Sequence, residues 1–476
     1  MGFQVYWLTA NLKNPDTKLF RANEVITNLK KRYWIGGLAA LVVIGGAVTA
    51  YTLAPTVHEG SLSELPELAR AGDYSIATTT ADINLPDRPV ITATSTVTGT
   101  AEPAPRTLKV RFWYPTSTTE GNTASYERDI SRDANNPLPI VFKGKAIESA
   151  EAITDSRFPL VVMSHGYGGW AEHTSFLGEH IASRGYVVAS INHADPRPDG
   201  AISFVLSFGH VLQNRALDQQ QIIDHLLSQA TKATSGYAAA INPEKVGLIG
   251  YSMGGYGAFR TAGATYDYDG KGLSNLPTDS KIAMQASTFD SSRLGAMIAL
   301  APWGGAPDNR SWTPEGLAKL RVPSLLISGN QDDVVGFDDG VVWLFEGATG
   351  SNRHLLVYRE ARHNIAGNAI TDPGFPANQD FATAEYIREP VWRTERINAI
   401  NQHFITAFLD LHLKGDTAKL AYLEPPTENS NDSQWQLSFG EQLNGKLASA
   451  EEKAHWRGFQ RRWALGMEMH AKKAGE

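Results

Sequence analysis

The sequence predicts an α/β fold, with a mostly parallel central sheet, helices on both faces and a single N-terminal transmembrane helix ahead of it. Three observations carry that reading. Short apolar runs alternate with helical stripes from Pro159 to Leu411. Gly250-Tyr251-Ser252-Met253-Gly254 stands where one apolar run gives way to a helical pattern. And 22 residues without a charge, 33–54, precede the whole series.

The uncharged run reads YWIGGLAALVVIGGAVTAYTLA, and about 20 such residues span a bilayer as a helix. Lys13, Lys18, Arg21, Lys30, Lys31 and Arg32 precede it, whereas Arg70 is the one basic residue between the span and Ala71. The positive-inside rule then leaves residues 1–32 as a cytoplasmic arm and exports the rest to the periplasm or exterior. A signal peptide cleaved near Val48-Thr49-Ala50 is the competing reading, and a buried core helix is the third. Residues 55–70, with Pro55 and Pro66, form a linker, and the folded domain is expected over 71–425.

Within that domain, Tyr74 to Pro115 is rich in Thr, Val and Ile and suggests an antiparallel hairpin at a sheet edge. The polar stretch from Thr116 to Asn136 reads as an exposed loop. Pro159–Met163 fits a buried parallel strand, and Phe176, Leu177, His180 and Ile181 mark a helix that stops at Gly185. Tyr186–Ala189 is the next strand, Leu217 to Leu227 a helical stripe, Val246–Ile249 a strand and Ser252–Ala262 a helix. Strands at 296–300, 324–327 and 355–358 follow, then an amphipathic helix through Ile397, Phe404 and Leu411. Such alternation indicates a parallel sheet covered on both faces. Residues 266–292 look like an insertion able to serve as a lid. In the 426–476 tail, Trp456, Phe459 and Trp463 are expected to pack back on the domain.

The chemistry centres on Ser252. A sharp strand-to-helix turn needs small residues around the serine, and it aims the free N–H groups of a helix N-terminus at the reacting centre. A serine hydroxyl needs a base to take its proton. His363, just after the strand ending at Tyr358, lies late in the chain as the order Ser, Asp, His requires. His354, His403, His412 and His470 read as packing or surface residues, and His165 as held by its own loop. The acid comes from Gly329-Asn330-Gln331-Asp332-Asp333, a loop at the C-terminal edge of the sheet, where α/β sites gather. Asp332 is the first choice and Asp333 the alternative. The oxyanion needs two N–H donors, each worth roughly 3 kcal/mol in the transition state. Met253 is one; Tyr167, in Ser164-His165-Gly166-Tyr167-Gly168-Gly169, is the other, with Gly166 as the alternative.

FPLVVMSHGYGG (158–169), GYSMGG (250–255), ALAPWGG (299–305) and VPSLLISGNQDD (322–333) together resemble the dienelactone-hydrolase-like α/β hydrolases. Within that group the chain is similar to the branch of platelet-activating-factor acetylhydrolases and cutinases, over roughly 71–425. The resemblance implies an α/β-hydrolase fold, a serine esterase site and no metal or organic cofactor. It also implies that Tyr167, Met253 and Trp303 help to form the oxyanion hole and acyl cleft.

The totals narrow the field. The chain has 476 residues, 42% hydrophobic, which is ample for a large core. It has no cysteine, so thiol catalysis, disulfides and cysteine zinc sites are excluded. A net charge of -7 argues against nucleic acid as a partner. Asp267 and Asp269 match no calcium-loop spacing, and His193 and Asp195 read as structural residues rather than ligands. The expected partners are a small-molecule or lipid-like ester substrate and the membrane crossed by 33–54. A serine peptidase or an acyltransferase would use the same groups, and a membrane-tethered binding module on an inactive scaffold is the non-enzyme alternative.

Overall fold

A computed structural model describes residues 65–130, 138–370, 385, 387–434, 440, 455–460 and 463–476. The apolar run at 33–54 lies outside these residues, as does most of 426–454. Among the described residues no helix is long and apolar enough to cross a membrane.

Among the described residues eleven strands form one sheet: β1 (Ser75–Pro89), β2 (Pro103–Thr116), β3 (Thr123–Asp129), β4 (Pro139–Glu148), β5 (Phe158–Ser164), β6 (Val187–Asn192), β7 (Ile241–Tyr251), β8 (Leu294–Leu300), β9 (Ser324–Gly329), β10 (Arg353–Tyr358) and β11 (Met467–Lys472). Their order is β11-β10-β9-β8-β7-β5-β6-β2-β1-β4-β3. The centre, from β6 through β10, is parallel throughout. β8 is buried at every position, as expected of a strand covered on both faces.

Five helices matter for the site: α1 (Ser175–Ser183), α2 (Ala201–Ala230), α3 (Met253–Thr261), α4 (Thr278–Gln285) and α5 (Thr394–Leu413). α5 lies close on the sheet because two glycines allow it. A methyl on Gly295 would meet Leu413 Cδ2 at 2.7 Å, and one on Gly247 would meet Leu409 Cδ2 at 3.0 Å. α2 and α3 pack against each other with similar closeness: a methyl on Gly257 would lie 2.7 Å from Arg215 Cγ and from Gln219 Nε2.

Several expectations need correction. The β1–β2 hairpin exists but lies inside the sheet, since β2 also pairs with β6 and β1 with β4. The edge is β3, formed by part of the stretch expected to be a loop. Its Ala124 and Tyr126 are buried between exposed neighbours, a period of two hidden by polar composition. α2 starts 16 residues before Leu217. Leu68 is already buried, and its N–H donates to His403 Nδ1 at 3.1 Å, so packing begins within the expected linker. The tail does pack back, with Trp456 and Phe459 buried against Phe404, and it also supplies β11, antiparallel to β10.

Candidate active site

β7 ends at Tyr251 and α3 begins at Met253, so Ser252 alone makes the turn between them. Its backbone has φ +53° and ψ -113°, a left-handed conformation that a side-chain-bearing residue holds only when its surroundings enforce it. The enforcing contacts are specific. The Ser252 N–H donates to the Leu300 carbonyl at 2.8 Å, and the Ser252 carbonyl accepts from the N–H groups of Tyr256 and Trp303. The glycines on either side cannot be replaced. A methyl on Gly250 would lie 2.2 Å from the Gly254 oxygen, and one on Gly254 would lie 2.0 Å from the Ser164 oxygen.

The turn brings three side chains into line. Ser252 Oγ is 3.1 Å from His363 Nε2, and His363 Nδ1 is 2.8 Å from Asp332 Oδ2. The other carboxylate oxygen of Asp332 accepts from the N–H groups of Val334 and Val335 at 3.0 and 3.1 Å. A carboxylate held this way accepts the Nδ1 proton, which leaves Nε2 as the acceptor facing the serine. Asp333 points elsewhere and pairs with Arg362, which also holds Glu385. Burial separates the two aspartates: the Asp332 side chain is fully covered, whereas that of Asp333 is 60% exposed.

The loop after β5 runs against the serine, for a methyl on Gly166 would lie 3.1 Å from Ser252 Cβ. Tyr167 extends from that loop, its hydroxyl 2.9 Å from Ser207 Oγ and its ring edge-on to Phe204 and Phe208. Met253 is the first residue of α3, so its N–H has no partner within the helix. His165 is held as its loop suggests: Nδ1 contacts the Gly166 carbonyl at 2.7 Å and Nε2 accepts from the His193 N–H. Burial pushes its pKa well below the usual histidine range.

A cavity of about 450 Å³ opens at these residues. Gly166, Tyr167, His173, Tyr251, Ser252 and His363 line it, together with Asp333, Val334, Arg362, Asn364 and Pro390. A smaller cavity of about 30 Å³, walled by Ile130, Ile140, Phe142 and Trp170, shares His173, Tyr251 and Asn364 with it. Trp303 does not line either one. Its ring is buried against Phe208 and Tyr256, at 5.3 and 5.5 Å between centroids, so it supports the wall from behind. The 266–292 segment does not line them either. Tyr266 stacks on Tyr256 and Trp312, α4 packs on β1 and α2, and Asp279 accepts from the Ala101 N–H.

Tyr251 was not singled out from the sequence, yet its ring lies 5.3 Å from that of His363 and its hydroxyl donates to the His363 carbonyl. Its place as the variable residue before the serine was the available signal. His173 was missed too, and nothing in its local sequence marks it. Among the described residues no group of three or more histidine, aspartate or glutamate side chains is placed to hold a metal ion.

Comparison with known proteins agrees with the resemblance seen in the sequence. The profile of the family "Platelet-activating factor acetylhydrolase, isoform II" matches residues 141–207. Cutinase 2 of Thermobifida cellulosilytica is 26% identical over 182 residues, which is 38% of this chain and 50% of that protein. Cutinase cut1 of Thermobifida fusca is 26% identical over 182 residues, 38% of this chain and 41% of its own length. Cutinase est1 of Thermobifida alba matches likewise, at 26% identity over 38% of this chain and 44% of its own. The chain thus spans about half the length, or less, of the curated relatives it matches. It is similar to acetylhydrolase-like and cutinase-like serine esterases.

Proposed function

We propose that the chain is a serine carboxylic-ester hydrolase working through an acyl-enzyme on Ser252. The observation that carries this is the unbroken line from Ser252 Oγ through His363 to Asp332 at the wall of an open cavity. Ser252 Oγ attacks the ester carbonyl carbon while its proton passes to His363 Nε2. The carbon–oxygen bond to the alcohol breaks as His363 returns that proton to the leaving oxygen. Water, deprotonated by His363, then attacks the acyl carbon, releases the carboxylic acid and restores the serine.

Asp332 fixes the imidazole tautomer and stabilises the imidazolium. Met253 and Tyr167 supply the N–H groups for the oxyanion, with Gly166 beside them. The cavity volume suits a small-molecule ester. The cutinase relatives and the acetylhydrolase profile favour an ester over an amide. Residues 33–54 anchor the chain in a membrane, with the catalytic domain on the extracytoplasmic side.

The test is covalent labelling of the full chain by a fluorophosphonate, together with aryl esters of increasing acyl length. Labelling that disappears in Ser252→Ala, with turnover highest on acetyl or butyryl esters, is the expected result. A native chain that is neither labelled nor hydrolytic would overturn the reading. The anchor is tested separately, by extracting the membrane fraction with carbonate and with detergent; release by carbonate alone would remove it.

A further inference from the structure

A second line of serine, histidine and aspartate runs through the interior beside the first. Ser164 Oγ is 2.7 Å from His193 Nε2, and His193 Nδ1 is 2.8 Å from Asp218 Oδ2. All three are buried, and none of them lines a cavity described above. Asp218 also takes a two-pronged contact from Arg106, with Nε at 2.7 Å and Nη2 at 2.6 Å, and a further one from Arg88. What distinguishes this line is its far end. Gln219, fully buried on α2, donates from one nitrogen both to Ser164 Oγ and to the Gly254 carbonyl, each at 2.9 Å. Its oxygen accepts from Thr261 Oγ1 at 2.9 Å.

These partners fix every proton. The Gly254 carbonyl only accepts, so the Gln219 nitrogen must face it. Ser164 Oγ then accepts from Gln219, and its own proton goes to His193 Nε2. His193 therefore carries its proton on Nδ1 and gives it to Asp218. The chain is directional, and each member satisfies the next, as buried polar groups must.

Its place in the fold gives it a use. Ser164 is the last residue of β5, directly before the loop carrying Gly166 and Tyr167, while Gly254 follows Met253 in α3. From this geometry we infer that Gln219 is a positioning residue. It ties together the two backbone segments that supply the oxyanion donors, and the buried Ser164–His193–Asp218 line holds the serine hydroxyl in the orientation that Gln219 needs. The inference rests on the esterase reading, since it assigns a role to donors which that reading names. The two segments are already in close contact, so a shift of either would move one N–H relative to the other, and displacements of about 1 Å at such sites can cost roughly 100-fold.

The test compares the full native chain with Gln219→Met, which keeps the volume and removes all three of its hydrogen bonds, and with Ser164→Ala, which removes the hub at little cost in volume. Three quantities are read: kcat and KM on an aryl acetate, inhibition by an aryl trifluoromethyl ketone, and thermal unfolding. In the inhibited form Ser252 Oγ bonds to the ketone carbon, its proton moves to His363 and the former carbonyl oxygen becomes the oxyanion. The expected result is a fall in kcat of roughly 10- to 100-fold with KM nearly unchanged. Affinity for the ketone falls by a similar factor, while cooperative unfolding is retained. Folded variants that keep native kcat and native ketone affinity would overturn the inference, as would a loss confined to KM. If Gln219→Met does not fold, Ser164→Ala decides. A native chain inert to both ester and fluorophosphonate would sink the esterase reading itself, and this inference with it.

Discussion

Two serine–histidine–aspartate lines share one domain, with the same atoms bonded in the same order, at 2.8 Å from histidine to aspartate in both and at 3.1 and 2.7 Å from serine to histidine. Ser252–His363–Asp332 reaches a cavity, whereas Ser164–His193–Asp218 lines neither of the two described. The backbone explains much of the contrast. Ser252 occupies a left-handed turn at a helix N-terminus, whereas Ser164 ends strand β5. The acids differ as well: Asp332 accepts from two backbone N–H groups, Asp218 from two guanidinium groups. Ser164 Oγ accepts from Gln219, and its proton is committed to His193. Under the proposed reading, access and the strained turn, rather than residue types and hydrogen bonds alone, single out Ser252 as the nucleophile.

The two lines differ most in what the loss of their aspartates should do. Asp332→Asn should lower kcat by roughly 10,000-fold, because the amide favours the wrong imidazole tautomer. Its effect on folding should be small, since an amide oxygen can still accept from Val334 and Val335. Asp218→Asn should cost mainly stability, with a loss of kcat no larger than the roughly 10- to 100-fold expected when the interior line loosens its hold on Gln219. Although burial alone would raise the Asp218 pKa, Arg106 and Arg88 hold it well below the carboxylate range, so removing the charge strands two buried cations. Breaking such a cluster costs about 3–5 kcal/mol. Urea unfolding and initial rates on the same samples separate the two. Equal losses of rate per folded molecule would show that the interior line is no less catalytic than the open one.

Proton linkage sharpens the contrast at a smaller scale. Burial lowers the pKa of His193 and His354 to about 4, and that of His180 and His403 to about 3. Unfolded histidines titrate near 6.5, so above that pH neither state takes up a proton and the stability is fully present. Below it the unfolded chain gains protons the native chain refuses, and stability is lost as pH falls toward 4. Each such histidine contributes a slope of about 1.4 kcal/mol per pH unit in that window. His193 lies among Asp218, Asp195, Arg215 and His165, so its share is separable only by substitution. His193→Gln should remove one proton's worth of slope from stability measured between pH 6.5 and 4.5. An unchanged slope would mean that His193 is already charged in the native state.

Much of this site was legible because its chemistry depends on local sequence. Small residues flank Ser252 for steric reasons, and the loops bearing Asp332 and His363 each follow a recognisable apolar strand. The interior line was not legible, because its members are separated by 29 and 25 residues and converge only through the sheet. A signal did exist on α2. Arg215, Asp218 and Gln219 continue the stripe of Ile222 and Leu226 at helical spacing, so polar residues occupy a face that must be buried. The strands β3, β4 and β11 escaped notice for another reason. Apart from β4's apolar Pro139–Phe142, they carry polar or mixed sequence, and the pairings of β4 with β1 and of β11 with β10 join segments distant in the chain.

The smallest effect concerns the aspartate pair that sequence alone left open. Asp333 forms a partly exposed pair with Arg362, whose side chain is 35% exposed, and the bond from Arg362 lowers the Asp333 pKa. Exposed pairs of this kind contribute about 0–1 kcal/mol. Arg362 keeps Glu385 as a second partner, and its N–H is held by Glu389, so the backbone leading into His363 stays anchored when Asp333 is lost. Asp333→Asn should therefore change kcat by less than about threefold and stability by less than about 1 kcal/mol. Aryl-acetate rates and urea midpoints measured beside Asp332→Asn give the contrast directly. A loss of 100-fold or more in Asp333→Asn would overturn the choice of Asp332 as the acid, since it would show that Asp333, which lines the same cavity as Ser252 and His363, acts on the imidazole itself.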